Sequence, residues 1–240
     1  TNLGTIAYYQ GDYATARNYN QQGLVIKQAL GDQRGITINL NNLGVIAHHQ
    51  GNYAAVHDYY QQSLAIRQAI GDQRGIAMIL NNLGFVAYSQ EDYAAALDYY
   101  QQSLAIKHAL GDQWGIANSL INLGFVHFHL HPEQARPSLH QALAIAQDIQ
   151  APRLILEAVV GFAWLYMNKA RPTRASKLAG LAQHHPAHNT GVQLRLDELL
   201  PQLEEALPPI ELQAALARGK TLDLGTVVAE LLEEFAEDHA

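Results

Sequence analysis

The 240-residue sequence has no cysteine, only two methionines, and 15 lysines and arginines against 22 acidic residues, for a net charge of −7. Without cysteine there are no disulfides, no thiolate metal ligands and no cysteine nucleophile, a usage that fits a reducing compartment. The cations stand singly along the chain, so no basic patch is available to neutralise phosphates, and direct nucleic-acid binding is not expected. No apolar run approaches a membrane span, and Thr1-Asn2-Leu3-Gly4 lacks a charged region followed by an apolar core. The chain is therefore expected to be cytoplasmic and away from the membrane. A first residue other than Met, and an opening that falls inside a repeat, predict a piece of a longer protein.

What the sequence does have is a period of forty. Gly35 to Arg74, GITINLNNLGVIAHHQGNYAAVHDYYQQSLAIRQAIGDQR, is followed by Gly75 to Trp114, GIAMILNNLGFVAYSQEDYAAALDYYQQSLAIKHALGDQW, and 25 of the 40 positions are identical. Repetition at such a period is the mark of a stacked array of small units. Each copy divides at Gly51-Asn52 or Glu91-Asp92, with an apolar stripe of helical period on either side, which predicts two helices joined by a tight turn. Between copies, Gly31-Asp32, Gly71-Asp72 and Gly111-Asp112 supply a glycine to end one helix and an aspartate to cap the next. The copies fall at 1–34, 35–74, 75–114, 115–150 and 151–186, the first truncated. The fourth has a one-residue deletion near His131-Pro132, and the last is looser, with helices from about Arg153 to Asn168 and from Pro172.

Gly44, Tyr53, Ala55, Tyr60, Ser63 and Leu64, with their equivalents forty residues on, resemble the tetratricopeptide repeat (TPR), in its long variant with an extended second helix. The resemblance covers about residues 1–186, with Ala163, Tyr166, Ala175 and Ala182 carrying it into the fifth copy. It implies an all-α fold, a right-handed superhelix of helical hairpins whose first helices line a concave groove. In the tail, Pro201, Pro208 and Pro209 are expected to break the pattern. Two short amphipathic helices then follow, Ile210–Arg218 and Leu224–Phe235, so residues 187–240 form a helical cap over the last repeat. The segment Ala217-Arg218-Gly219-Lys220-Thr221-Leu222-Asp223-Leu224 resembles the C-terminus of bacterial multidomain regulators in which a signalling NTPase precedes a TPR array. That resemblance implies a sensor or partner-binding role.

Polar amides recur inside the apolar first helices. Ile38, Asn41, Val45 and His48 share one stripe, as do Met78, Asn81, Phe85 and Tyr88, and Asn118, Ile121, Phe125 and Phe128. An amide complements both the N–H and the C=O of a peptide unit, so Asn41 and Asn81 are expected to hold an extended chain whatever its side chains. Kinesin light chains, which resemble this sequence at Leu-Asn-Asn-Leu, use such an asparagine ladder on peptides. Asn42, Asn82 and Asn122 fit two readings, the same ladder or a bond to the preceding hairpin. Around the constant Asn41/Asn81 the stripe varies, through Ile38/Met78, Val45/Phe85 and His48/Tyr88, as it would if side chains of a ligand were read there. Tyr8, Phe125 and Phe128 extend it with aromatics, and its lack of charge suits an apolar peptide or an amphipathic helix.

Other motifs carry less. On a helix only His127 and His131 of His127-Phe128-His129-Leu130-His131 share a face, and no carboxylate lies nearby. His184, His185 and His188 sit at a helix end, so no metal is expected at either cluster. Gly219-Lys220-Thr221 resembles the end of a phosphate-binding loop, but Ala214 stands in place of its first glycine and no strand precedes it. No nucleophile, base and orienting group come together in the sequence. The expectation is a non-catalytic module without cofactor that binds a protein or peptide segment, with self-association as the alternative.

Overall fold

The protein, as a computed structural model, is described over residues 2–237; Thr1 of the expected first copy and residues 238–240 of the expected cap lie outside the described residues. Two compact units divide the chain, residues 1–110 and 111–240. The first consists of α1 (Asn2–Tyr9), α2 (Tyr13–Ala29), α3 (Gln33–His49), α4 (Tyr53–Ala69), α5 (Gln73–Ser89) and α6 (Tyr93–Leu110), each packed against the next. The second holds α7 (Gln113–Leu130), α8 (Pro132–Asp148), α9 (Pro152–Asn168), α10 (Pro172–His184), α11 (Thr190–Ala206), α12 (Pro209–Gly219) and α13 (Leu224–Glu237). The described residues contain no strand.

Local chemistry sets these boundaries. Asp32 and Asp72 cap α3 and α5 by accepting the Gly35 and Gly75 N–H at 2.9 and 3.0 Å, and Asp112 does the same for Gly115 at 2.9 Å. Each residue before these aspartates is a glycine with φ between 65° and 69°, a conformation that side chains disfavour. Where the pattern lacks glycine the backbone still adopts it: Glu91 has φ 61°, Gln150 50° and Ala170 54°. Pro132, Pro152, Pro172 and Pro209 open their helices, where no N–H is needed.

Within a hairpin, the glycine of the first helix receives a bulky side chain of the second. A Cβ on Gly84 would lie 2.7 Å from Tyr100 Cε1, and one on Gly124 would lie 2.7 Å from Leu139 Cγ. Tyr60 does the same at Gly44, and Tyr60, Tyr100 and Leu139 are all buried. Burying each such side chain contributes roughly 1.5–3 kcal/mol. Ser63 and Ser103 tie the helices further, donating to the Thr37 and Ala77 carbonyls at 3.4 and 2.8 Å.

The tail differs from expectation at one helix. Pro201 does not end the segment but sits inside α11. Leu196 and Leu199 before it and Leu203 after it are fully buried, and this burial outweighs the hydrogen bond that proline forfeits. α11 packs on α9 and α10, α12 on α10, and α13 on α8 and α9. α12 approaches α10 closely because both carry glycine at the crossing: a Cβ on Gly219 would lie 3.0 Å from Gly180 Cα. α13 is held by Glu234, whose carboxylate accepts from Tyr166 Oη at 2.5 Å and pairs with Arg174, while Arg136 donates to its carbonyl at 2.8 Å.

Candidate functional site

In residues 1–110 the asparagines form internal links. Asn82 Nδ2 donates to Asn41 Oδ1 at 2.9 Å, joining α5 to α3, and shares a hydrogen bond with the Tyr60 hydroxyl of α4. Asn42 Nδ2 donates to Asn20 Oδ1 of α2 at 3.0 Å. Asn81 Oδ1 accepts from Lys107 Nζ at 3.4 Å. Of the two readings for the second asparagines, Asn42 and Asn82 follow the one that binds the preceding hairpin. The carbonyls of Asn41 and Asn81 are engaged as well, so these amides are held in place by internal hydrogen bonds. Lys107 is itself buried, and the forty-residue period sets a cation at each of Lys27, Arg67 and Lys107.

Around these amides the stripe of α3 and α5 is open. Ile38 is 49% exposed and Met78 40%, while Val45, His48 and Phe85 are half-buried. His48 lies 5.1 Å from the Phe85 ring, and its Nε2 is 3.2 Å from Ser89 Oγ. Burial, with the nearby His49, pushes His48 below the usual histidine range, so the ring is neutral at neutral pH. Tyr88 is the exception to the expected lining, since it is buried edge-on against Tyr93 at 5.6 Å. Tyr8 is half-buried, with its hydroxyl 2.7 Å from His49 Nε2. It lines a cleft of about 140 Å³ together with Asn20, Asn42 and Val45.

In residues 111–240 the same stripe is covered. Phe125, expected in the lining, is 1% exposed, because the Arg195 guanidinium of α11 lies 3.9 Å above its ring centroid. Arg195 also donates to Asn122 Oδ1 at 3.2 Å. Trp164 of α9 stands edge-on to Phe125 at 6.4 Å and stacks on the half-buried Phe128 at 5.9 Å. Glu157 of α9 sits beside Arg195 and hydrogen-bonds Asn189, the cap of α11. Burial raises the Glu157 carboxyl above its usual range, and the charges of Arg195 and Arg153 counter the shift. Sequence reasoning missed Arg195, although an arginine between Val192 and Leu196–Leu199 interrupts an apolar stripe of helical period.

The histidine clusters are occupied locally. His127 Nδ1 is 3.1 Å from Ser138 Oγ, His184 Nδ1 is 3.0 Å from the Gly180 carbonyl, and His188 Nδ1 is 3.1 Å from the Ala182 carbonyl. Among the described residues no three metal-binding side chains come together, and no helix is long and apolar enough to cross a membrane.

Residues 1–69 and 75–148 match the family described as tetratricopeptide repeat. The chain belongs to the tetratricopeptide repeat family. Its fold is similar to that of BtubC (BKLC) from P. vanneervenii, with TM-score 0.62 and 20% identity over 83% of this chain and 76% of that one. It is also similar to a Signal Transduction ATPase with Numerous Domains (STAND) protein with a tetratricopeptide repeat sensor from Pyrococcus horikoshii, with TM-score 0.68 and 18% identity. That match takes in 97% of this TPR chain but spans only 37% of the STAND protein. No curated protein matches the sequence. Membership in the family makes this a scaffold for protein–protein interaction.

Proposed function

We propose that the TPR array is a non-catalytic module that binds a peptide or an amphipathic helix along the first-helix stripe of residues 1–110. The observation that carries this reading is the pairing of constant, pre-set amides at Asn41, Asn42, Asn81 and Asn82 with open, variable side chains at Ile38 and Met78. The amides suit any backbone, and the variable positions choose among side chains. By likeness to the STAND protein with a TPR sensor, the module would be the cytoplasmic sensor of a larger signalling regulator, with binding altering the restraint on an NTPase. The test is capture from bacterial cytosol on the full chain, on Ile38→Glu/Met78→Glu, and on Ile210→Glu, whose parent residue is 83% exposed in the other unit. Partners lost only with the first variant support the stripe, and partners retained by both move the function elsewhere.

A further inference from the structure

The array already holds one side chain on this stripe, Arg195 of α11 on the Phe125 ring of α7. α11 presents Val192, Leu196 and Leu199 on one buried face, with Arg195 among them at 8% exposure. A guanidinium is buried this deeply only when its charge and donors are matched, and here three groups match it. Phe125 offers the electron-rich ring face at 3.9 Å, Asn122 offers a carbonyl oxygen at 3.2 Å, and Glu157 supplies a neighbouring negative charge.

Two of those three groups recur forty residues earlier. Phe85 and Asn82 stand on α5 at the same three-residue spacing as Phe125 and Asn122 on α7, and so on the same face of their helix. Phe85 is half-buried, and among the described residues no cation lies on its ring. Asn82 Nδ2 donates to Asn41 Oδ1 and the Tyr60 hydroxyl bonds the same amide; together they fix its plane and hence the direction of its carbonyl oxygen, which has two lone pairs. Met78, four residues before Asn82 on the same helix and 40% exposed, offers an apolar rest for the methylene stem of a long cationic side chain.

We propose that Asn82 and Phe85 form an arginine-accepting subsite, and that the partner is an amphipathic helix whose apolar face carries one arginine, as α11 does. The inference rests on the stripe of residues 1–110 being the binding surface and adds the chemistry of what it accepts. The net charge of −7 favours the approach of such a basic partner. Without a Glu157 equivalent the subsite holds its cation by the ring and the amide alone, which keeps the contact exchangeable, whereas Arg195 is fixed.

The test is selection of a displayed random-peptide library on the full chain, followed by binding measurements on the selected peptides. Arginine should be enriched at one position within an apolar helical pattern. Its replacement by the neutral isostere citrulline should weaken binding about tenfold, the scale of a desolvated cation–π contact. Phe85→Leu should lose the same factor and lose sensitivity to citrulline, while Phe85→Tyr, which keeps the ring, should retain both; circular dichroism confirms the fold of each. Peptides that lack arginine, or that bind Phe85→Leu as well as the parent, yet are lost with Ile38→Glu/Met78→Glu, would overturn the subsite and leave the binding surface standing. Absence of any selected peptide would overturn both.

Discussion

At matching positions of the repeat, Phe85 is half-buried beside His48, whereas Phe125 is 1% exposed beneath the Arg195 guanidinium. The hairpins that carry them share the glycine notch, the aspartate cap and the second asparagine, Asn82 or Asn122, while Ile121 replaces the first. The difference comes from α11, a helix outside the repeat pattern, whose Arg195 lies over the Phe125 ring and reaches Asn122. Residues 1–110 keep Ile38 and Met78 exposed on the stripe that carries the amides.

The largest effect is expected where the hairpin itself is broken. Gly84→Leu would drive a side chain into the Tyr100 ring and cost about 3 kcal/mol or more in chemical denaturation; a variant as stable as the parent would mean that the register is wrong. Next comes Arg195→Ala, which would open the closed stripe. It should lower stability by about 2–3 kcal/mol, through loss of a charged hydrogen bond and a buried cation–π contact, and should change Trp164 fluorescence. An unchanged melting curve would leave the closure without energetic weight.

Asn82→Ala is milder. Losing the link to Asn41 should cost about 1 kcal/mol, and a loss several times larger would make the amide row chiefly structural. The sign is reversed at Gln150→Gly, because a left-handed φ of 50° favours glycine; melting should show a gain of about 0.5–1 kcal/mol. The smallest change is one of pH dependence. Glu157 has a folded pKa raised mainly by burial, so its contribution is most favourable below its ordinary range, about pH 4.3, and is lost as pH rises through the folded value. Glu157→Gln should flatten the stability profile above that range, and an identical slope in parent and variant would exclude the assignment.

Most of the hairpin architecture was legible in the sequence because each boundary is written locally: Gly-Asp between copies, a small residue facing each Tyr60-like side chain, and apolar stripes of helical period. The amide row was legible as a feature, but its partners were not, since Asn82 meets Asn41 and Lys107 meets Asn81 across separations of 41 and 26 residues. α11 was hidden by Pro201, a helix breaker overruled by the burial of Leu196, Leu199 and Leu203. The cover over Phe125 was hidden for a related reason: Arg195 reaches Asn122 across 73 residues, a contact that no periodicity records.

The most direct measurement is photo-crosslinking of a selected peptide to full-length chains carrying a benzophenone amino acid at position 78 or at position 118, equivalent sites on α5 and α7. Crosslinking at 78 and not at 118, with 118 becoming reactive only when Arg195→Ala is introduced, is the result expected if residues 1–110 hold the open stripe and α11 closes the other. Equal crosslinking at both positions, or crosslinking at 118 alone in the parent chain, would contradict it.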